Sequence, residues 1–215
     1  MENVITTDLL FRWLHVLFGI TWIGLLYYFN FVQTEYFKEA EAGAKADAVK
    51  KLAPRALWWF RWGAMFTFLT GLVLLELIRT EHGWNSYIIV GAVLGTLMFL
   101  NVWLIIWPNQ KIVCGITEGD AATAAPKAGL ASRTNTLFSG PMLIGMLGSL
   151  HGGAGTASYN TAAGLPMGLW IALALIAALE LNAIFGKTGP MTTVKGVIHC
   201  SIGLTVVILA LLQFV

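Results

Sequence analysis

Charge is what this chain has least of. Asp, Glu, Lys and Arg make up 11% of its 215 residues, against about 25% in an ordinary globular domain, which excludes a water-facing surface of normal polarity. Cysteine is nearly absent as well. Cys114 and Cys200 stand far apart, so there is no disulfide framework, and without a C-x-x-C-H run the chain cannot hold a c-type haem covalently. No carboxylate dyad or Ser-His-Asp set is visible. The glycine-dense "GMLGSLHGGAG" neither follows a strand nor opens a helix, so it lacks the setting of a dinucleotide-binding loop. Nucleic acid is not an expected partner, because no basic stripe accompanies the small net charge of +2. The N-terminus lacks the basic n-region and cleavage site of a signal peptide, so its first apolar stretch is expected to stay as a transmembrane helix.

What the chain has instead is apolar length. Hydrophobic residues make up 57% of it, and the mean hydropathy is +0.74. Six segments, at 8–30, 58–79, 86–107, 134–153, 166–186 and 191–214, approach the roughly 20 residues needed to cross a bilayer. In lipid each must satisfy its own backbone groups, so each is expected to be a helix. The predicted architecture is therefore all-α: one polytopic transmembrane domain over residues 1–215, surrounded by membrane lipid.

Basic residues give it an orientation. Lys38, Lys45, Lys50, Lys51 and Arg55 fall in the connection 33–57, Lys111, Lys127 and Arg133 in 108–133, and Lys187 and Lys195 in 187–195. The other side carries little beyond Arg12 and Arg79. The positive-inside rule makes the three basic connections cytoplasmic and puts both termini on the outer, periplasmic side. The Ala-rich, charged run before Pro54 is expected to form a surface helix, and "HGGAGTASYNTAAG" an irregular outer loop.

Against that apolar background the histidines stand out. His15 lies within "LLFRWLHVLFGITWIG", with Arg12, Gly19 and Trp22 at i−3, i+4 and i+7 on the same helical face. In the last span, Gly196 and Gly203 flank His199 at i−3 and i+4. Glycines beside an imidazole leave room for a broad, flat group such as haem, and glycines equally serve plain helix packing. His151 falls near the outer end of the fourth span, and His82 in a short outer loop. Depth along straight helices does not choose among the pairs His15 with His151 or His199, so one haem b or two are both compatible with the sequence. Arg12 and Arg79 are candidates for the haem propionates. Glu180, buried in the fifth span, is a candidate proton carrier and equally a hydrogen-bonded tie between helices, with Asn101 at a comparable depth. Most of the tryptophans cluster toward span ends, as an aromatic belt would place them.

Two stretches, "NVWLIIWPNQKIV" and "ASRTNTLFSGPMLIGMLGSLH", closely resemble the membrane domain of bacterial membrane-bound urate oxidase, also called urate hydroxylase. "RWLHVLFGITWIG" resembles the first helix of that family and is more distantly similar to membrane protoporphyrinogen oxidases and copper-resistance D proteins. The resemblance implies that His15 and His151 are family-like histidines and that Asn101, Asn109, Gln110, Arg133, Asn135 and Pro141 belong to a shared pattern. In that family a cytochrome c domain follows the membrane domain on the outer side. This chain ends with its sixth span, so the expectation is a separate cytochrome c, or another redox subunit, as electron acceptor.

The resulting expectation is an oxidoreductase or electron-transfer protein of the bacterial inner membrane. It would ligate b-type haem through His15 with His151 or His199, with Arg12, Gly19, Trp22, Arg79, Gly196 and Gly203 around the cofactor and Glu180 handling a proton. Whether the chain is itself the enzyme is open. A small permease or metal carrier and a non-catalytic accessory subunit of a respiratory complex are the alternatives. A homodimer, the commonest closed oligomer, is the default expectation.

Overall fold

The computed structural model describes residues 2–81, 83–152 and 165–215. His82 and most of the glycine-rich outer loop lie outside the described residues. Every regular element among the described residues is helical, as the hydropathy requires.

The first long helix begins as α1 (Glu2–Tyr27), passes through a π-helical stretch (Tyr28–Gln33) and continues as α2 (Thr34–Glu39). After an extended residue at Ala40, α3 (Ala42–Asp47), a π-helical turn (Ala48–Leu52) and α4 (Ala53–Glu81) follow without a break. The surface helix expected before Pro54 is thus an exposed extension of the second span. Asn85 caps α5 (Ser86–Leu100) by accepting from the Ile88 amide at 3.1 Å. A π-helical stretch (Asn101–Ile106) then joins α5 to α6 (Trp107–Val113). Asp120 caps α7 (Ala121–His151), and Thr193 caps α9 (Val194–Phe214) after α8 (Met167–Phe185).

Among the described residues, five helical stretches are long and apolar enough to cross a membrane: Thr7–Glu39, Ala42–Glu81, Ser86–Val113, Met167–Phe185 and Val194–Phe214. The chain is thus a multi-pass membrane protein by length and composition. The expected fourth span does form a helix, α7, but that helix starts well before residue 134 and falls outside the apolar set. The cause is its position. α7 packs against α5, α6, α8 and α9 and also touches α1, so it need not be apolar toward lipid and buries Arg133, Thr134, Asn135, Thr136 and Ser139. The outer helices show the reverse pattern, with Leu9, Trp13, Val16, Leu17 and Ile20 of α1 all exposed.

Small residues let α5 and α7 approach closely. A Cβ on Gly145 would stand 2.6 Å from the Gly91 nitrogen, and one on Gly148 2.3 Å from the Tyr87 ring. Tyr87 donates to the Gly152 carbonyl, and Gln213 of α9 reaches the same pair, tying one end of the bundle together. Asn30 donates to Ser132 near the other end, where the basic connections gather.

Candidate functional site

Three polar features are built into this apolar frame. The first is His15, on the face of α1 packed against α4. Its Nδ1 lies 2.9 Å from the Thr67 carbonyl and 3.1 Å from the Thr70 hydroxyl. A carbonyl oxygen only accepts, so Nδ1 carries the hydrogen and, in the neutral ring, Nε2 keeps the lone pair. Thr70 gives its own hydrogen to the Phe66 and Thr67 carbonyls, which leaves its oxygen free to accept from the ring. Gly71 makes the seat possible, since a Cβ there would meet His15 Cε1 at 3.0 Å.

The second feature ties three helices together at the centre. Asn101 Nδ2 donates to Asn135 Oδ1 at 3.0 Å and to Glu180 Oε2 at 3.1 Å, and Asn135 Nδ2 donates to the Met98 carbonyl at 2.9 Å. Asn135 has no exposed surface at all. The π-helical stretch begins at Asn101 itself, and such stretches recur at functional positions in helices. Of the two readings the sequence leaves for Glu180, the interhelical tie is the one that has a partner here.

The third feature is a cavity of about 410 Å³ at the basic end. Around it are the π-helical stretch after α1 with the start of α2, the start of α4, the α5–α6 junction, the first half of α7 and the segment between α8 and α9. Its polar lining includes Gln33, Gln110, Ser132 and Arg133, and its apolar wall includes Phe29 and Phe60. Those two rings meet edge to face at 5.5 Å. Two lining side chains have unfinished hydrogen bonding, because Gln33 Oε1 and Arg133 Nη1 are buried without partners.

The expected haem contacts are distributed as follows. His15 is half-buried, whereas His151 at the end of α7 and His199 on α9 are exposed on the surface of the chain. α1 packs chiefly on α4, and α9 on α7 and α8. No three His, Cys, Asp or Glu side chains gather to form a metal site among the described residues. Arg12 is paired with Asp8 at 2.6 Å, and Arg79 makes two bonds to Glu76. Trp22 is buried in the core. Gly196 is closed over by the Pro190 carbonyl, a Cβ on Gly19 would be in ordinary contact with the Thr67 methyl at 3.9 Å, and Gly203 has open space around it. Of the residues expected around a haem, His15 is the one whose Nδ1 is held by a backbone acceptor, leaving the Nε2 lone pair that a metal would need. The two arginines expected at the propionates are already engaged within the chain.

The cavity was not legible as a unit in the sequence. Gln110 and Arg133 belong to the pattern implied by resemblance, but Gln33, Phe29 and Phe60 come from other helices. Their only sequence signal is a polar side chain close to an apolar run. Arg61, which resembles an ordinary helix-end cation, stacks instead on the Trp107 ring at 3.9 Å.

The family described as urate oxidase N-terminal matches residues 79–184. The matched stretch runs from the end of α4 through most of α8, taking in Asn101, Gln110, Arg133, Asn135, His151 and Glu180 but neither His15 nor His199. No curated protein and no solved structure matches the chain. Over just under half of its length, and through the helices that build the central amide network and part of the cavity wall, the chain is similar to the urate oxidase N-terminal family.

Proposed function

We propose that this chain is an oxidoreductase or electron-transfer protein of the bacterial inner membrane, with His15 as an imidazole ligand to b-type haem. Electrons would leave to a cytochrome c or another redox subunit at the end of the bundle opposite the basic loops. The observation that carries the reading is the hydrogen bond from His15 Nδ1 to the Thr67 carbonyl. Metal-binding imidazoles are typically held in this way, with one nitrogen fixed by a backbone or carboxylate acceptor and the other presented to the metal. The relationship to the urate oxidase family supports redox chemistry and suggests urate as the first electron donor to try.

The protein's own part in this chemistry is orientation and exclusion of water. Thr67 fixes the ring, Thr70 adds a second acceptor, and Gly71 leaves room for both. A bound haem would supply one-electron redox at the iron. Glu180 presents Oε2 to Asn101 and offers a carboxyl for holding a proton within the bundle. His151 and His199 are the alternatives for a second imidazole that would hold the haem, both exposed on the chain's surface.

The test is a reduced-minus-oxidised spectrum, with pyridine haemochrome quantitation, on detergent-purified protein from haem-replete cells. His15→Ala, His151→Ala and His199→Ala are measured beside it, together with urate-dependent reduction of cytochrome c. A b-type signal abolished in His15→Ala and in one other variant is the expected result. A colourless wild-type protein, or a signal that survives His15→Ala, overturns the assignment.

A further inference from the structure

Two cations at the basic end sit against one ring. The Arg61 guanidinium of α4 stacks on the Trp107 ring of α6 at 3.9 Å, and Lys111 Nζ, one turn further along α6, lies 5.9 Å from the same centroid. Trp103, one turn before Trp107, is 6.0 Å from Arg61 and meets Trp62 of α4 edge to face at 5.7 Å. A long cation near a helix end ordinarily snorkels toward water. Arg61 is instead held against a ring in the seam between two helices, in position before any ligand arrives.

Neither charge is neutralised. Among the described residues, Arg61 and Lys111 have no carboxylate within ion-pair distance and no side-chain hydrogen bond, whereas Arg12, Lys38, Lys51 and Arg79 each have a carboxylate. Both residues are partly exposed. Of the Arg61 nitrogens, Nε is the one buried without a partner, so the two terminal nitrogens keep open surface and unused donors.

The surface beside these cations is apolar and bare. α4 runs away from the basic end, and α5 with its continuation runs toward it. Phe66 and Leu69 of α4, and Leu100 and Leu104 of the facing helix, therefore stand deeper in the bundle than Arg61 and Trp107. All four are between 38% and 68% exposed. Cations at the level of an aromatic belt, with bare apolar surface beneath them, match the polarity of a lipid molecule. A soluble anion would use the cations alone. Charge also selects among lipids, because the ammonium of a zwitterionic headgroup would meet two cations and no carboxylate paired with them.

We propose that the seam between α4 and α6 holds one anionic phospholipid of the leaflet at the basic end. Its phosphate is bound by the terminal nitrogens of Arg61 and by Lys111, and its chains lie over Phe66, Leu69, Leu100 and Leu104. Arginine suits this part because its fork can give two parallel hydrogen bonds to a phosphate while its face stays on the indole. Basic pockets between membrane helices bind phospholipid headgroups in this way. The proposal is independent of haem at His15.

The test uses the full chain, delipidated in detergent and titrated with phosphatidylglycerol or phosphatidylcholine of the same acyl chains, with adducts counted by native mass spectrometry. Wild-type protein is expected to take up one phosphatidylglycerol saturably, roughly tenfold more tightly than phosphatidylcholine. Arg61→Gln and Lys111→Gln should each lower that preference by about fivefold or more, the scale of one basic residue against an anionic lipid surface. Arg61→Lys should restore only part of the loss, since an ammonium keeps the charge without the fork. Lys45→Gln is the matched control and should leave the preference unchanged, because Lys45 lies over the Phe37 ring at 5.8 Å but on the exposed helix α3. Lys111 stands near the end of α6, so Lys111→Gln carries the test if Arg61→Gln fails to fold. Three results overturn the proposal: no preference for phosphatidylglycerol in wild type, a preference that survives in a folded Arg61→Gln or Lys111→Gln protein or falls equally in Lys45→Gln, or displacement of the lipid by millimolar inorganic phosphate.

Discussion

The His15 ring shows how much a single side chain owes to atoms that its own neighbourhood in sequence does not reveal. "RWLHVLFGITWIG" exposes the anomaly of an imidazole among apolar residues, but the groups that fix it, the Thr67 carbonyl and the Thr70 hydroxyl, lie more than fifty positions further on. Gly71→Leu should therefore act through His15. The added side chain must displace a ring whose Cε1 would already stand 3.0 Å from a Cβ, and haem content should fall toward that of His15→Ala without loss of fold, measured as haemochrome per protein. Asn101 was legible as a polar residue in the membrane, and its partner Glu180 as another. Their contact was not, because the residues are 79 positions apart and only the packing of α5, α7 and α8 joins them. Asn101→Leu should lower unfolding stability in detergent by about 1 kcal/mol, the usual scale for interhelical hydrogen bonds in membranes. A denaturant titration with a helicity readout would measure it.

At the scale of elements, apolar length identified five of the helices well and described the sixth for the wrong reason. α8 and α9 nearly coincide with the stretches read from hydropathy, whereas α7 extends thirteen residues before position 134. Hydropathy detects contact with lipid, and α7 has little of it. The better signal in the same stretch is the set of small residues that permits close approach. Gly145→Leu should be among the most disruptive single changes, since even a Cβ would collide with the Gly91 backbone, and overpacking of this kind costs about 1–3 kcal/mol or more. Loss of the folded fraction on size-exclusion chromatography would register it. Asn85 connects two elements, because it caps α5 and also donates to the Ser149 carbonyl of α7 at 2.8 Å. Asn85→Ala should cost about 1–2 kcal/mol through the cap alone, read as a lower thermal midpoint of the purified protein.

For the whole molecule, the basic loops and the cavity lie at one end of the bundle, and the Tyr87, Gly152 and Gln213 cluster ties the other. The uneven placement of Lys and Arg foretold that the three basic connections would share an end, although charge alone does not disclose a cavity between them. Introduced cysteines test the orientation. In a background without Cys114 and Cys200, Lys45→Cys should react with an impermeant maleimide only from the cytoplasmic face and Trp84→Cys only from the outer face, both positions being exposed. Labelling of both from one side would refute the alternation of spans. Cys114 is set aside for a chemical reason as well: burial pushes its thiol up, so its alkylation should lag at neutral pH and keep accelerating at pH values where a free thiol has levelled off. The polarity of α7 has a last consequence, for biogenesis. A helix that carries Arg133, Asn135 and a row of hydroxyls partitions poorly from the translocon into lipid by itself. It must wait at the channel for company, so in chains truncated after His151 the three earlier spans should hold the chain in the membrane while the α7 segment stays open to added protease, and stable insertion of α7 should begin only once α8 and α9 have been synthesised.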